Sequence, residues 1–138
     1  MKAICFFILG LAGSTCLCSQ GAFSEFETKS IFFGGGNWYV DKQQHEELLQ
    51  WIDAVPHLHE YEIVIQSHTD NIGSKDYNAW LSQMRSESVF NILNNHEIPA
   101  EWLFIRDYGE DNPLYSNDTY EGRLNNRRVD VILVPPSS

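Results

Sequence analysis

A chain of 138 residues, 43% hydrophobic and 13% aromatic, has the length of one domain and enough apolar side chains for a core, which excludes a disordered polymer. Its formal net charge of −10 excludes the broadly basic surface that nucleic-acid phosphates require, and equally a general electrostatic adhesion to anionic membranes. An anionic partner must then be held by a local constellation, not by the overall field.

In chain order, the N-terminus places Lys2 before an apolar run from Ala3 to Ala12, and small residues follow. That is the order of a secretory signal, assigned to residues 1–22, with 23–138 as a single domain. The run falls short of the roughly 20 apolar residues a transmembrane helix needs. Cys5, Cys16 and Cys18 all lie in this segment, so cleavage beyond Cys18 leaves a mature chain without thiols. Acylation of Cys16 or Cys18 is the other outcome, although the residues before each match a lipobox poorly.

Lys29–Phe33 reads as a short strand, followed by the turn Gly34-Gly35-Gly36-Asn37, whose glycines predict a floppy rim. Asp41 and Gln44 stand at the N-cap and N3 spacing of a capping box. Leu48, Leu49, Ile52 and Val55 continue with helical period until Pro56. Tyr61–Ser67 alternates as a strand, Thr69–Gly73 is a turn, and Ser74 can cap a second helix that runs to about Asn94, ahead of Pro99. Trp102–Tyr108 is a third strand. A polar stretch with Gly109, Pro113 and Gly122 reads as loop, and Val129–Val134 is the last strand. Two strand–helix–strand crossovers predict parallel neighbours joined right-handedly, with helices over one sheet face. The fold class is α/β, a two-layer sandwich with a small mixed sheet, in the order β-α-β-α-β-β.

Arg85 is the informative residue of the second helix. With Leu81 at zero on a wheel, Arg85 falls at about 40°, between Ile92 at about 20° and Val89 at about 80°. A guanidinium inside an apolar stripe must meet a carboxylate or several carbonyls, because an unpaired buried charge costs several kcal/mol. Asp70 follows directly on the second strand, at the strand-end crevice where ligand sites of α/β folds gather. The two groups can neutralise each other as a structural ion pair, or together hold a zwitterion, its carboxylate on the arginine fork. Physical argument alone leaves both open, with the structural pair slightly ahead.

The stretch His68-Thr69-Asp70-Asn71-Ile72-Gly73-Ser74, then Tyr77-Asn78-Ala79-Trp80-Leu81-Ser82-Gln83-Met84-Arg85-Ser86, resembles the signature of the OmpA-like family, a TD-x-x-G turn followed by YN-x-x-LS-x-x-RA. Tyr108-Gly109-Glu110, Pro113, Asn117, Thr119, Gly122-Arg123 and Asn126-Arg127-Arg128-Val129-Asp130 resemble its later elements, so the likeness covers about residues 29–134. The resemblance implies non-covalent binding of peptidoglycan through the diaminopimelate residue of its stem peptide, which would anchor an envelope component to the cell wall. It implies that Arg85 takes a diaminopimelate carboxylate and Asp70 the amine, with Thr69, Asn78 and Leu81 lining the pocket. It also implies a contribution from Arg128, with Arg127 as the alternative. The implied place is the periplasm, tethered to or associated with the outer membrane. The second reading is a protein-interaction subunit of an outer-membrane or envelope complex with little affinity for the wall. Ser86, the triple glycine and His96-Glu97 depart from the family pattern.

Other features point to no further chemistry. His57 and His59 lack a third metal ligand at fixed spacing, so no metal is expected. His68 reads as structural, and Gly34–Gly36 lacks the lysine and hydroxyl of a phosphate loop. No nucleophile elbow or cysteine–histidine set appears, so neither an enzyme nor a cofactor is expected. Trp38, Trp51, Trp80 and Trp102 sit on different elements and are assigned to the core in preference to a sugar-stacking platform. On the same wheel Phe90 falls at about 180°, opposite the stripe, and Trp80 at about −100°, and an exposed aromatic there would hint at a partner-protein surface.

Overall fold

The computed structural model describes residues 26–137, in which the chain runs β1 (Thr28–Phe32), α1 (Lys42–Asp53), β2 (Glu62–His68), α2 (Lys75–Asn95), β3 (Leu103–Asp107), α3 (Tyr120–Asn126) and β4 (Arg128–Val134). The expected signal segment, residues 1–22, with Cys5, Cys16 and Cys18, lies outside the described residues. Asp41 caps α1 by accepting from the Gln44 amide at 3.0 Å. The Gln44 side chain does not turn back to the cap's own backbone N–H as in the reciprocal capping box. It reaches β1, donating to the Phe32 carbonyl at 2.9 Å and accepting from the Phe32 N–H at 2.7 Å. One cap thus starts the helix and fastens it to the sheet. Ser74 caps α2 through the Tyr77 N–H at 3.1 Å.

The sheet order is β1-β4-β2-β3. The crossover through α2 makes β2 and β3 parallel neighbours, Ile65 opposite Ile105. The crossover through α1 does not make neighbours of β1 and β2, contrary to expectation. These strands run the same way, but β4 lies between them, antiparallel to both. Strand β4 suits a central position because it is buried on both faces along most of its length. Alternation sends Ile31, Ile63, Ile65, Val129, Val131 and Leu133 to the helix-covered face, where they meet Leu48 and Ile52 of α1 and Val89 and Leu93 of α2. Each fully buried aliphatic side chain stabilises the fold by about 1.5–3 kcal/mol.

The other sheet face carries a polar cluster. His68 and Arg128 are cross-strand partners, and Arg128 Nε donates to Asp130 at 3.0 Å. Residues 108–127 cover them: Tyr108 stacks on His68 at 5.7 Å, and Tyr115 lies 5.9 Å below the Arg128 guanidinium. This segment is not the continuous loop that its polarity suggests. Thr119 caps α3 by accepting from the Gly122 N–H at 3.0 Å, and a Cβ at Gly122 would lie 1.8 Å from the Ser116 carbonyl, so only glycine fits. The buried Asn126 side chain accepts from the Tyr115 N–H at 3.0 Å and donates to the Tyr115 carbonyl at 2.8 Å, locking the segment onto itself.

Burial along α2 falls on Asn78, Leu81, Ser82, Arg85, Ser86, Val89 and Leu93. On the wheel this arc runs from about 0° to about 140°, rotated away from the stripe centred on Leu81. Arg85 stays well inside it. Phe90, at about 180°, flanks the arc and packs partly against the core, so it does not supply an exposed aromatic for a partner surface.

Candidate functional site

Directly after β2 the chain makes a sequence of tight local bonds that aims Asp70 into a crevice. The Thr69 N–H donates to the Gly109 carbonyl at 2.8 Å, and the Asp70 carboxylate accepts from the Ile72 N–H at 3.1 Å in an Asx-type turn. Gly73 then takes φ +98°, a left-handed value that favours glycine, and α2 begins. The second Asp70 oxygen accepts from Arg127 Nε at 2.6 Å, a short charge-assisted bond between two nearly buried groups.

Arg85 enters the same crevice from α2 and is 0% exposed. Its partners are carbonyls: Asn37 at 2.8 Å from Nε, Gly34 at 3.0 Å and His68 at 3.4 Å from the two terminal nitrogens, with the Phe33 ring 5.0 Å away. Burial pulls its pKa down to about 10, Asp70 opposes that shift, and Arg127 adds to it; the group remains charged at neutral pH. The glycine turn after β1 is therefore no floppy rim. Two of the carbonyls of residues 34–37 are fastened by Arg85, and Gly36 at φ +66° brings the backbone against the Tyr77 hydroxyl.

Together these groups surround a cleft of about 210 Å³ that includes Asp70, Asn78, Leu81, Arg85 and Arg127, with Ile72, Tyr77 and the glycines 35, 36 and 73 around them. Leu81 supplies an apolar wall. Asn78 is 1% exposed; its amide nitrogen donates to Glu110 at 2.8 Å, while its oxygen, beside the Gly73 turn, has no partner. Of the residues singled out from sequence, the fold brings Asp70, Asn78, Leu81 and Arg85 to one cleft. Thr69 is buried beneath the turn and does not line it, and its hydroxyl has no partner. Arg128 does not reach it, because Arg128 and Asp130 share the opposite sheet face. Arg127, the alternative, holds Asp70. Strand alternation carried that signal: Arg128 and Asp130 stand two apart, out of phase with the core residues Val129 and Val131.

The cleft thus contains two guanidinium groups and one carboxylate, a local surplus of positive charge in a chain of net charge −10. It can accept an anionic group while retaining one acidic acceptor for a cation. Among the described residues, no group of three or more histidine, cysteine, aspartate or glutamate side chains is arranged to hold a metal ion.

The chain belongs to the OmpA family, which it matches over residues 32–127. It is 34% identical over 114 residues to Motility protein B of Bacillus subtilis, covering 77% of this chain and 42% of that protein. It is 29% identical over 122 residues to Peptidoglycan-binding protein ArfA of Mycobacterium tuberculosis, covering 88% of this chain and 37% of that protein. The chain therefore spans about two-fifths of the length of these relatives. The fold matches the crystal structure of the peptidoglycan-associated lipoprotein from Burkholderia pseudomallei with a TM-score of 0.71 at 24% identity, covering 77% of this chain and 90% of that one. The small mixed sheet with its helices is thus the OmpA-like fold.

Proposed function

We propose that this domain binds peptidoglycan without covalent attachment, taking the diaminopimelate residue of the stem peptide into the cleft and so anchoring an envelope component to the cell wall. The observation that carries the reading is the charge arrangement: Arg85 and Arg127 beside one carboxylate, Asp70. Diaminopimelate presents an ammonium and a carboxylate on one carbon, and that pair is complementary to Asp70 and an arginine fork. Arg85 keeps a further N–H on each terminal nitrogen after serving the carbonyls, so it can donate to a carboxylate without abandoning the loop. The unpartnered Asn78 oxygen adds an acceptor for the ammonium. Relatives with the words peptidoglycan-binding and peptidoglycan-associated in their names support the same polymer as partner. The work proposed for the site is binding and not turnover.

Pelleting with purified diaminopimelate-type sacculi tests the proposal, with Asp70→Asn and Arg127→Ala compared against wild type and Arg128→Ala as a cleft-independent control. Wild type and a folded Arg128→Ala should pellet while the two cleft variants stay in solution. A melting curve accompanies each protein. Pelleting of all four alike, or of none, would overturn the assignment.

A further inference from the structure

Just outside the cleft, three aromatic rings form a continuous surface. Trp38, Tyr77 and Trp80 are 40%, 42% and 44% exposed. The Trp80 ring stands 5.4 Å from that of Trp38, edge to face, and 5.8 Å from that of Tyr77, which itself lines the cleft. Trp51 and Trp102 pack against the core as their positions predict, but Trp38 and Trp80 do not. The tertiary fold unites them, because the turn after β1 lies across the N-terminal half of α2.

These rings are held in place. Ser88 donates to the Trp38 carbonyl at 2.6 Å, and Arg85 to the neighbouring Asn37 carbonyl at 2.8 Å, so the residue that builds the cleft also fixes the loop bearing the outer ring. At helical spacing from Trp80, Gln83 and Glu87 form an exposed amide–carboxylate pair, Gln83 donating at 2.9 Å. Flat apolar faces bordered by hydrogen-bonding side chains complement a pyranose ring, which offers C–H groups on its face and hydroxyl and acetamide groups on its rim.

We infer that Trp38 and Trp80 form a stacking platform for the glycan strand of peptidoglycan, continuous with the cleft through Tyr77. The inference rests on the cleft reading above, and continuity selects the occupant. In peptidoglycan the diaminopimelate residue is joined to the sugar through two further residues, a reach of about 10 Å, so filling the cleft brings a hexosamine ring to its rim. The second contact is then intramolecular and adds to binding by effective concentration.

The test uses two soluble probes: the tripeptide L-alanyl-γ-D-glutamyl-diaminopimelate, and the same tripeptide on its N-acetylglucosaminyl-N-acetylmuramic acid disaccharide. Wild type should bind the disaccharide probe more tightly than the tripeptide. Trp80→Ala and Trp38→Ala should leave tripeptide affinity unchanged and weaken the disaccharide probe about threefold to tenfold. Trp80→Phe should recover most of that loss. Equal binding of both probes by wild type overturns the platform and leaves the cleft reading intact, whereas binding of neither removes both. Undiminished disaccharide binding in Trp80→Ala, with loss of a protein partner from envelope extracts, would assign the patch to a protein and also overturn the inference.

Discussion

Replacing Arg85 by methionine separates what the buried guanidinium does for the fold from what it does for a ligand. The side chain is 0% exposed, and methionine has a similar length without charge or donors. The substitution strips the Asn37 and Gly34 carbonyls of partners now 2.8 and 3.0 Å away. A hydrogen bond from a charged donor is worth about 1.5–3 kcal/mol, whereas the 3.4 Å bond to the His68 carbonyl counts for little. Opposing this loss is relief of the desolvation that pulls the Arg85 pKa down to about 10. The balance is a loss of about 2–4 kcal/mol. In urea unfolding followed by tryptophan fluorescence, the midpoint should fall by about 1–2 M at unchanged slope. Hydrogen exchange should rise most in residues 34–38, the loop that the guanidinium holds. Conditions that keep the variant folded should still show no pelleting with sacculi. A midpoint at or above that of wild type would refute the claim that carbonyl bonding to Arg85 organises this end of the domain.

Gly122→Ala places a methyl group 1.8 Å from the Ser116 carbonyl, so the backbone between Ser116 and α3 must move, at a cost of about 1–3 kcal/mol. Arg127 caps the C-terminus of α3, so both the melting temperature and sacculus binding should drop; a wild-type melt would show that the close approach is not needed. His68 is predicted to impose an acid-side loss of stability. Burial holds its pKa below the ordinary value of 6.5, Arg128 pushes the same way, and Asp130 and the Asn112 carbonyl oppose them. The unfolded chain then binds a proton that the folded chain refuses, so the contribution is complete above about pH 6.5 and is lost as pH falls from there toward the lowered folded value. Urea midpoints of wild type and His68→Gln between pH 7.5 and 5 should show a shallower decline in the variant, and parallel curves would exclude His68 as the source.

Local chemistry was legible wherever it was self-contained. Asp41 and Ser74 announce their helices because a cap needs only its own first turn, and the alternation of Tyr61–Ser67 reports a sheet whatever its neighbours. The position of β4 was not, since pairing with β1 and β2 is decided between segments about 100 and 68 residues apart, as Ser30 with Asp130 and Val64 with Ile132 show. Nor was α3, whose 7 residues carry a glycine and lack an apolar stripe; buried Asn126 and the fit of Gly122 hold it instead. That omission had a consequence at the site. The end of α3 is what turns Arg127 toward Asp70, and the alternation of β4, which sets Arg128 on the opposite face with Asp130, was the one sequence signal that separates the two arginines. The wheel sets Trp80 off the stripe, but its pairing with Trp38 escaped for the same reason as β4: the two are 42 residues apart and meet only through a loop fastened from the helix.

The sequence left two readings of Asp70 and Arg85, an internal ion pair or a zwitterion site, and a third charge, that of Arg127, bears on the choice between them. Had Asp70 bonded to Arg85, the crevice would be self-neutralised, and any ligand would have to displace one buried partner from the other at a cost of several kcal/mol. Instead Asp70 is held by Arg127 and a backbone N–H, while Arg85 is held by neutral carbonyl dipoles. The carbonyl dipoles stabilise the Arg85 charge without cancelling it. On the proposed reading an incoming carboxylate meets a cation that Asp70 compensates only in part, in a crevice of low polarisability, where its attraction exceeds that at the surface and is little screened by salt. On the same reading an ammonium meets Asp70 and the spare Asn78 oxygen. On that reading an acidic chain holds an anionic group without a basic surface: the structural ion pair is between Asp70 and Arg127, and Arg85 beside it is the arginine with charge to offer.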